Sequence, residues 1–122
     1  MKKVLVVDDD ITFVAGIKAT LDSARYTVGS AANGLEALDS IKESKPDLIL
    51  LDMMMPKMDG IEFLKEMNKK YGEGKIMVII TSNIASLEKI SEGVELGVRS
   101  YFVKSNESLQ GIARIVDEAF EN

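Results

Sequence analysis

Neither cysteine nor histidine occurs among the 122 residues. The first absence excludes a disulfide framework, thiolate chemistry and any cysteine-based zinc site. The second removes the commonest general base and the commonest metal ligand, so chemistry here has to run on carboxylates, lysines, hydroxyls and a hard cation. Long apolar runs are missing as well. After Met1-Lys2-Lys3 the run Val4 to Val7 is shorter than the apolar stretch of a signal peptide, and no run is long enough to span a bilayer. A soluble cytoplasmic protein without membrane contact is therefore expected. Positive charge is in deficit: 15 Lys plus Arg stand against 20 Asp plus Glu, a net charge of -5 that repels phosphate backbones and anionic lipid. Direct contact with nucleic acid is not expected.

What is present is an alternation of short β-branched runs with segments of helical periodicity, and it continues along the whole sequence. Val4 to Val7, Leu48 to Leu51 and Ile76 to Ile80 are continuous apolar runs, the pattern of strands buried on both faces of a parallel sheet. Thr27 to Ala32 is a weaker strand whose lower apolar content suits an edge, and Val98 to Val103 is the fifth. Between them, helical spacing sets Val14, Ile17 and Leu21 in the first helix, Leu35, Leu38 and Ile41 in the second, and Ile61, Leu64 and Met67 in the third. Leu87, Ile90 and Val94 mark the fourth helix, which Gly97 is placed to stop, and Leu109, Ile112, Val116 and Phe120 mark the fifth after a Ser105/Asn106 cap. Asn33, with Glu36 three residues on, caps the second helix. A chain of this length can bury well over half of its unfolded surface, so residues 1–122 are expected to form one domain. Five alternating units argue for an α/β fold, a parallel sheet covered on both faces.

Ligands of such sheets bind beyond the carboxyl ends of the strands. That rule selects Asp8, Asp9 and Asp10 after the first strand, Asp52 after the third, Thr81 after the fourth and Lys104 after the fifth. Crowded carboxylates repel one another unless a cation sits among them. An oxygen-only donor set with room for water suits Mg²⁺. Asp52 is then free to attack phosphorus as a nucleophile, with the cation and Lys104 stabilising the transferring group and Thr81 donating a hydrogen bond to one of its oxygens.

Each residue also has a plainer reading. Asp10 fits the cap of the first helix, and Asp52 could cap a helix of its own. Thr81 could be a strand residue and nothing more, Lys104 a surface lysine, and Tyr101 a packing aromatic. Met53, Met54 and Met55 read as flexible gap-fillers, and Asp59-Gly60 as a turn into the third helix. Four pieces in order outweigh these readings together: Val6-Val7-Asp8-Asp9, the segment from Asp52 to Met54-Met55-Pro56-Lys57-Met58-Asp59-Gly60, Thr81-Ser82, and Tyr101-Phe102-Val103-Lys104.

In these pieces the whole chain resembles the receiver domain of bacterial two-component response regulators, typified by the chemotaxis response regulator. The resemblance implies a flavodoxin-like five-stranded parallel sheet in the order 2-1-3-4-5 with helices on both faces. It implies that Asp52 is the phosphoacceptor and that Mg²⁺ is held directly by Asp9 and Asp52, through water by Asp8, and by the backbone carbonyl of Met54. Thr81 and Tyr101 match the pair that reports phosphorylation to the surface of the fourth helix, fifth strand and fifth helix. The implied partners are a sensor histidine kinase or phosphotransfer protein upstream and a downstream protein or output domain. Such a protein is a phosphoacceptor that assists its own phosphorylation and dephosphorylation, rather than an enzyme in the usual sense.

Three competing functions can be weighed against it. An aspartate-nucleophile phosphatase of haloacid-dehalogenase type requires a second carboxylate two residues after the nucleophile, where Met54 stands. A flavin or dinucleotide carrier requires a glycine-rich loop after the first strand, where aspartates stand. A silent receiver would lack part of the set Asp8, Asp9, Asp52, Thr81 and Lys104, which is intact. One departure from the family is visible. Members usually follow the active-site lysine with a proline and a cis peptide bond, and here Ser105 follows Lys104. A cis bond before a non-proline residue costs about 2.5 to 4 kcal/mol, so a trans bond or a mixture is expected, with the Lys104 side chain displaced or disordered.

Overall fold

The computed structural model describes residues 1–83 and 87–121, with the side chain of Leu87 outside the description. Five parallel strands, β1 (Lys2–Val7), β2 (Tyr26–Ala31), β3 (Leu48–Asp52), β4 (Met77–Ser82) and β5 (Ser100–Val103), form one sheet in the order β2-β1-β3-β4-β5. Five helices alternate with them: α1 (Ile11–Thr20), α2 (Gly34–Glu43), α3 (Gly60–Tyr71), α4 (Leu87–Glu95) and α5 (Leu109–Glu121). The order and the edge position of β2 are those expected.

The continuous apolar runs are explained by where alternate residues go. Leu5, Val7, Ile49, Leu51, Val78 and Ile80 pack against Ala37, Ile41, Phe63, Leu64, Met67 and Ile90 of α2, α3 and α4. Val4, Val6, Leu48, Leu50, Ile79 and Phe102 pack on the other face against Ile17, Ile112 and Val116 of α1 and α5. Side chains of successive strand residues point to opposite faces, and here both faces are core. Truncating a central residue such as Leu50, which is fully buried, to alanine costs roughly 2 to 5 kcal/mol.

Helix starts follow the short polar residues. Asp10 caps α1 by accepting from the Phe13 N–H at 3.1 Å, and Asn33 caps α2 by accepting from the Glu36 N–H at 3.0 Å. Asp59 and Glu62 form a reciprocal capping box at the start of α3. Gly97 ends α4 as expected: its φ of 90° lets Val98 donate to the Gly93 carbonyl and Gly97 to that of Val94.

Three expectations about the helices need correcting. Leu35 is exposed, because the buried face of α2 is set by Gly34, Ala37 and Ile41, one residue out of phase with the face read from Leu35. Val94 is exposed too: α4 turns Ile90 and Gly93 inward, and a Cβ on Gly93 would lie 2.5 Å from the Ile80 side chain. Leu87, expected on the inward face of α4, has its side chain outside the described residues. Ser105 and Asn106 do not cap α5; they lie in a 3-10 turn over Lys104–Asn106, and Ser108 caps the helix through its Oγ, 3.0 Å from the Gly111 N–H. Several good capping residues stand in a row there, and the one directly before the apolar repeat is used.

Candidate phosphoryl-acceptor and metal site

Strand register brings the candidate residues to one rim. Val7 of β1 pairs with Leu51 of β3, so Asp8 and Asp52 leave the sheet at neighbouring points, and Asp52 itself pairs with Thr81. Carboxylate oxygens of Asp8, Asp9 and Asp52 lie within 4.8 Å of one another. Asp8 and Asp52 are 3% and 7% exposed, while Asp9 is open to solvent. The site therefore has a buried floor and a wet entrance.

The buried carboxylates are held by few donors. Asp8 Oδ1 accepts from the Asp10 N–H at 2.9 Å, and its Oδ2 lies 2.6 Å from Lys104 Nζ. Asp52 Oδ1 accepts from the Met54 N–H at 3.2 Å. Burial pushes the Asp52 carboxyl up from 3.8 to about 6, and the nearby Asp8 charge adds to the rise. The Met54 N–H, Lys104 and Asp9 have smaller effects, the first two downward and the last upward. A carboxylate whose charge is disfavoured by desolvation and by like charge is stabilised by a dication among its neighbours. The donor set, all oxygen and partly open to water, fits Mg²⁺.

Asp8, Asp9, Asp52 and Lys104 are thus brought together, and Thr81, the penultimate residue of β4, pairs with Asp52. Thr81 is buried and its Oγ1 finds no hydrogen-bond partner among the described residues. Tyr101 stands apart: it pairs in register with Ile80 and is 52% exposed. Met54 turns its side chain outward and touches the site through its backbone. The family's cis bond has no counterpart, since all peptide bonds among the described residues are trans. Lys104 takes the displaced position, one of the two expected: its ammonium pairs with Asp8 and not with Asp52.

Two residues near the site carry no role of their own in the sequence reading, although Ser82 stands in the Thr81-Ser82 piece. Ser82 is fully buried beside Thr81, and its Oγ likewise has no partner among the described residues. Phe13 carries its ring 4.4 Å from Lys104 Nζ. Nothing in helical periodicity distinguishes such a ring from any other half-buried aromatic. Ser82 was legible as a polar residue at the end of an apolar strand.

The strand order and the carboxylate cluster at the carboxyl rim place the chain among α/β proteins whose acidic site lies beyond the strand ends. Residues 4–116 match the model of the response regulator receiver domain, and the chain belongs to that family. It is a phosphorelay signalling module of the two-component type, and the haloacid-dehalogenase alternative is not supported. Sporulation initiation phosphotransferase F of Bacillus subtilis is 42% identical over 103 residues, which are 84% of this chain and 82% of that protein. The alkaline phosphatase synthesis transcriptional regulatory protein PhoP of the same organism is 39% identical over 84% of this chain, which spans only 42% of its length. Among solved structures, a receiver domain from Methanospirillum hungatei superposes with a TM-score of 0.87 at 27% identity, covering 99% of this chain and 94% of the other. Among the described residues no helix is long and apolar enough to cross a membrane.

Proposed function

We propose that Asp52 is the residue that accepts the phosphoryl group, that Asp8, Asp9, Asp52 and the backbone carbonyl of Met54 hold Mg²⁺, and that residues 1–122 act as one receiver unit. The observation that carries this reading is the convergence of three carboxylates within 4.8 Å around a buried, charge-crowded aspartate. When bound, the cation neutralises charge on the transferring oxygens. An Asp52 oxygen attacks phosphorus, an O–P bond forms, and the bond to the donor breaks with its electrons leaving on the donor. Lys104 compensates the charge that arrives, and the Thr81 hydroxyl, which has no partner among the described residues, moves to donate to a phosphoryl oxygen. That movement of Thr81 makes room for Tyr101 to turn inward, which changes the surface of α4, β5 and α5 for a downstream protein or output domain.

The donor in this reading is a sensor histidine kinase or a phosphotransfer protein in the cytoplasm. The domain is loaded once and then unloaded, assisting both steps without turning over a pool of substrate. Incubating the chain with a small acyl phosphate and Mg²⁺, then weighing it intact, tests the proposal. One phosphoryl mass per chain, absent with EDTA and absent in Asp52→Asn, is the expected result. Rapid consumption of donor without an adduct would point to an enzyme, and an undiminished adduct in Asp52→Asn would move the acceptor elsewhere.

A further inference from the structure

Lys104 comes from the turn after β5 and Phe13 from the first turn of α1, and they meet over Asp8. Phe13 is anchored twice: its N–H is taken by the Asp10 cap, and its ring packs on the core shared by α1 and α5. Lys104 opens the 3-10 turn after β5, where its carbonyl accepts from the Glu107 N–H at 3.3 Å. Its ammonium is then clamped between the Phe13 ring face, 4.4 Å from the centroid, and Asp8 Oδ2 at 2.6 Å. The Asp8 side chain is 1% exposed, so this ion pair is largely shielded from solvent.

Asp8 is also one of the three carboxylates that converge on the cation position. An ammonium and a dication cannot share that small space without mutual repulsion. We infer that Phe13 is a positioning residue which holds Lys104 on Asp8 in the metal-free protein, so that Mg²⁺ entry and release of Lys104 compete. The inference rests on the reading of the acidic cluster as a Mg²⁺ site. Phe13 acts through Lys104 and touches no reacting atom. Its consequence is an ordered loading sequence: Mg²⁺ displaces the ammonium from Asp8, and the freed Lys104 becomes available to the phosphoryl group on Asp52. Until then the lysine fills part of the charge deficit that the cation later fills.

The test uses the full chain with ¹³C-labelled lysine, and Mg²⁺ as the probe. Close approach to a ring face shifts the Lys104 ε-protons upfield in the wild type without metal, a signal assigned by its absence in Lys104→Arg. Saturating Mg²⁺ should return it to the position of a solvated lysine. Phe13→Leu should lack the upfield shift from the start and bind Mg²⁺ two- to fivefold more tightly by calorimetry, roughly the loss of an exposed cation–π contact. Phe13→Tyr, which keeps the ring, should match the wild type in both measurements. An unshifted Lys104 signal in the metal-free wild type, a shift that survives saturating Mg²⁺, or unchanged Mg²⁺ affinity in Phe13→Leu would overturn the inference. If the wild type binds no Mg²⁺, the metal site itself falls and the competition with it; normal Mg²⁺ binding with an unresponsive Phe13→Leu removes the role of Phe13 alone.

Discussion

The two rims of the sheet carry similar residues and treat them in opposite ways. At the amino-terminal rim Asp117 accepts from the Tyr26 hydroxyl at 2.5 Å and pairs with Arg25 at 3.1 Å, and Asp47 accepts from the Lys3 N–H at 2.7 Å. Burial and the neighbouring Asp117 push the Tyr26 hydroxyl up to about 12, so it stays a donor through the physiological range. At the carboxyl-terminal rim three carboxylates face each other with one lysine against them, and Thr81 and Ser82 hold hydroxyls without partners among the described residues. The lower rim ties β2 to α5 and adds stability. The upper rim holds charge and hydrogen-bonding capacity that, in the proposed function, a cation and a phosphoryl group would take up.

Substitutions should separate these roles. The largest effect is expected from Asp9→Asn, which removes one carboxylate and a full negative charge from the proposed metal site. Mg²⁺ binding by titration and phosphoryl uptake by mass should both be lost while the circular dichroism spectrum is retained; an unchanged Mg²⁺ titration would refute the assignment. Tyr26→Phe should do the reverse. Losing the hydrogen bond to Asp117 should lower unfolding stability by about 1 kcal/mol in a urea titration, with Mg²⁺ affinity as in the wild type. The smallest effect concerns the loop leading from the upper rim into α3, where Lys57 has a φ of 67°. That conformation is costly for a residue with a Cβ, so Lys57→Gly should gain up to about 1 kcal/mol after the entropy cost of glycine, measured the same way.

How much of this could be read from the residues depended on which kind of information they carried. The strands were legible because both faces of a central parallel strand are core, which leaves runs such as Leu48 to Leu51 with no polar interruption. Residues at the carboxyl rim followed from the strand ends alone. The inward faces of α2 and α4 did not, since a close approach at Gly34 or Gly93 rotates a helix and no hydrophobic pattern marks a glycine as inward. The partner of Lys104 was equally hidden: it depends on where a long side chain lands among Asp8, Asp52 and Phe13, all far from Lys104 in sequence and close to it only after folding.

The central claim is that the upper rim stores unfavourable charge on Asp52 that a divalent cation relieves, and thermal unfolding in EDTA tests it directly. The Asp52 carboxyl titrates near 3.8 when unfolded and at about 6 when folded, so its contribution to stability is complete below pH 4 and is lost as pH rises through 6. At pH 8 the loss amounts to roughly 2 to 3 kcal/mol, on the order of 1.4 kcal/mol for each pH unit of the rise. Asp52→Asn, which cannot ionise, should therefore unfold several degrees above the wild type at pH 8 and at about the same temperature at pH 4. Adding Mg²⁺ at pH 8 should raise the wild type far more than the variant. A wild type at least as stable as Asp52→Asn at pH 8 in EDTA, with Mg²⁺ acting equally on both, would contradict the account.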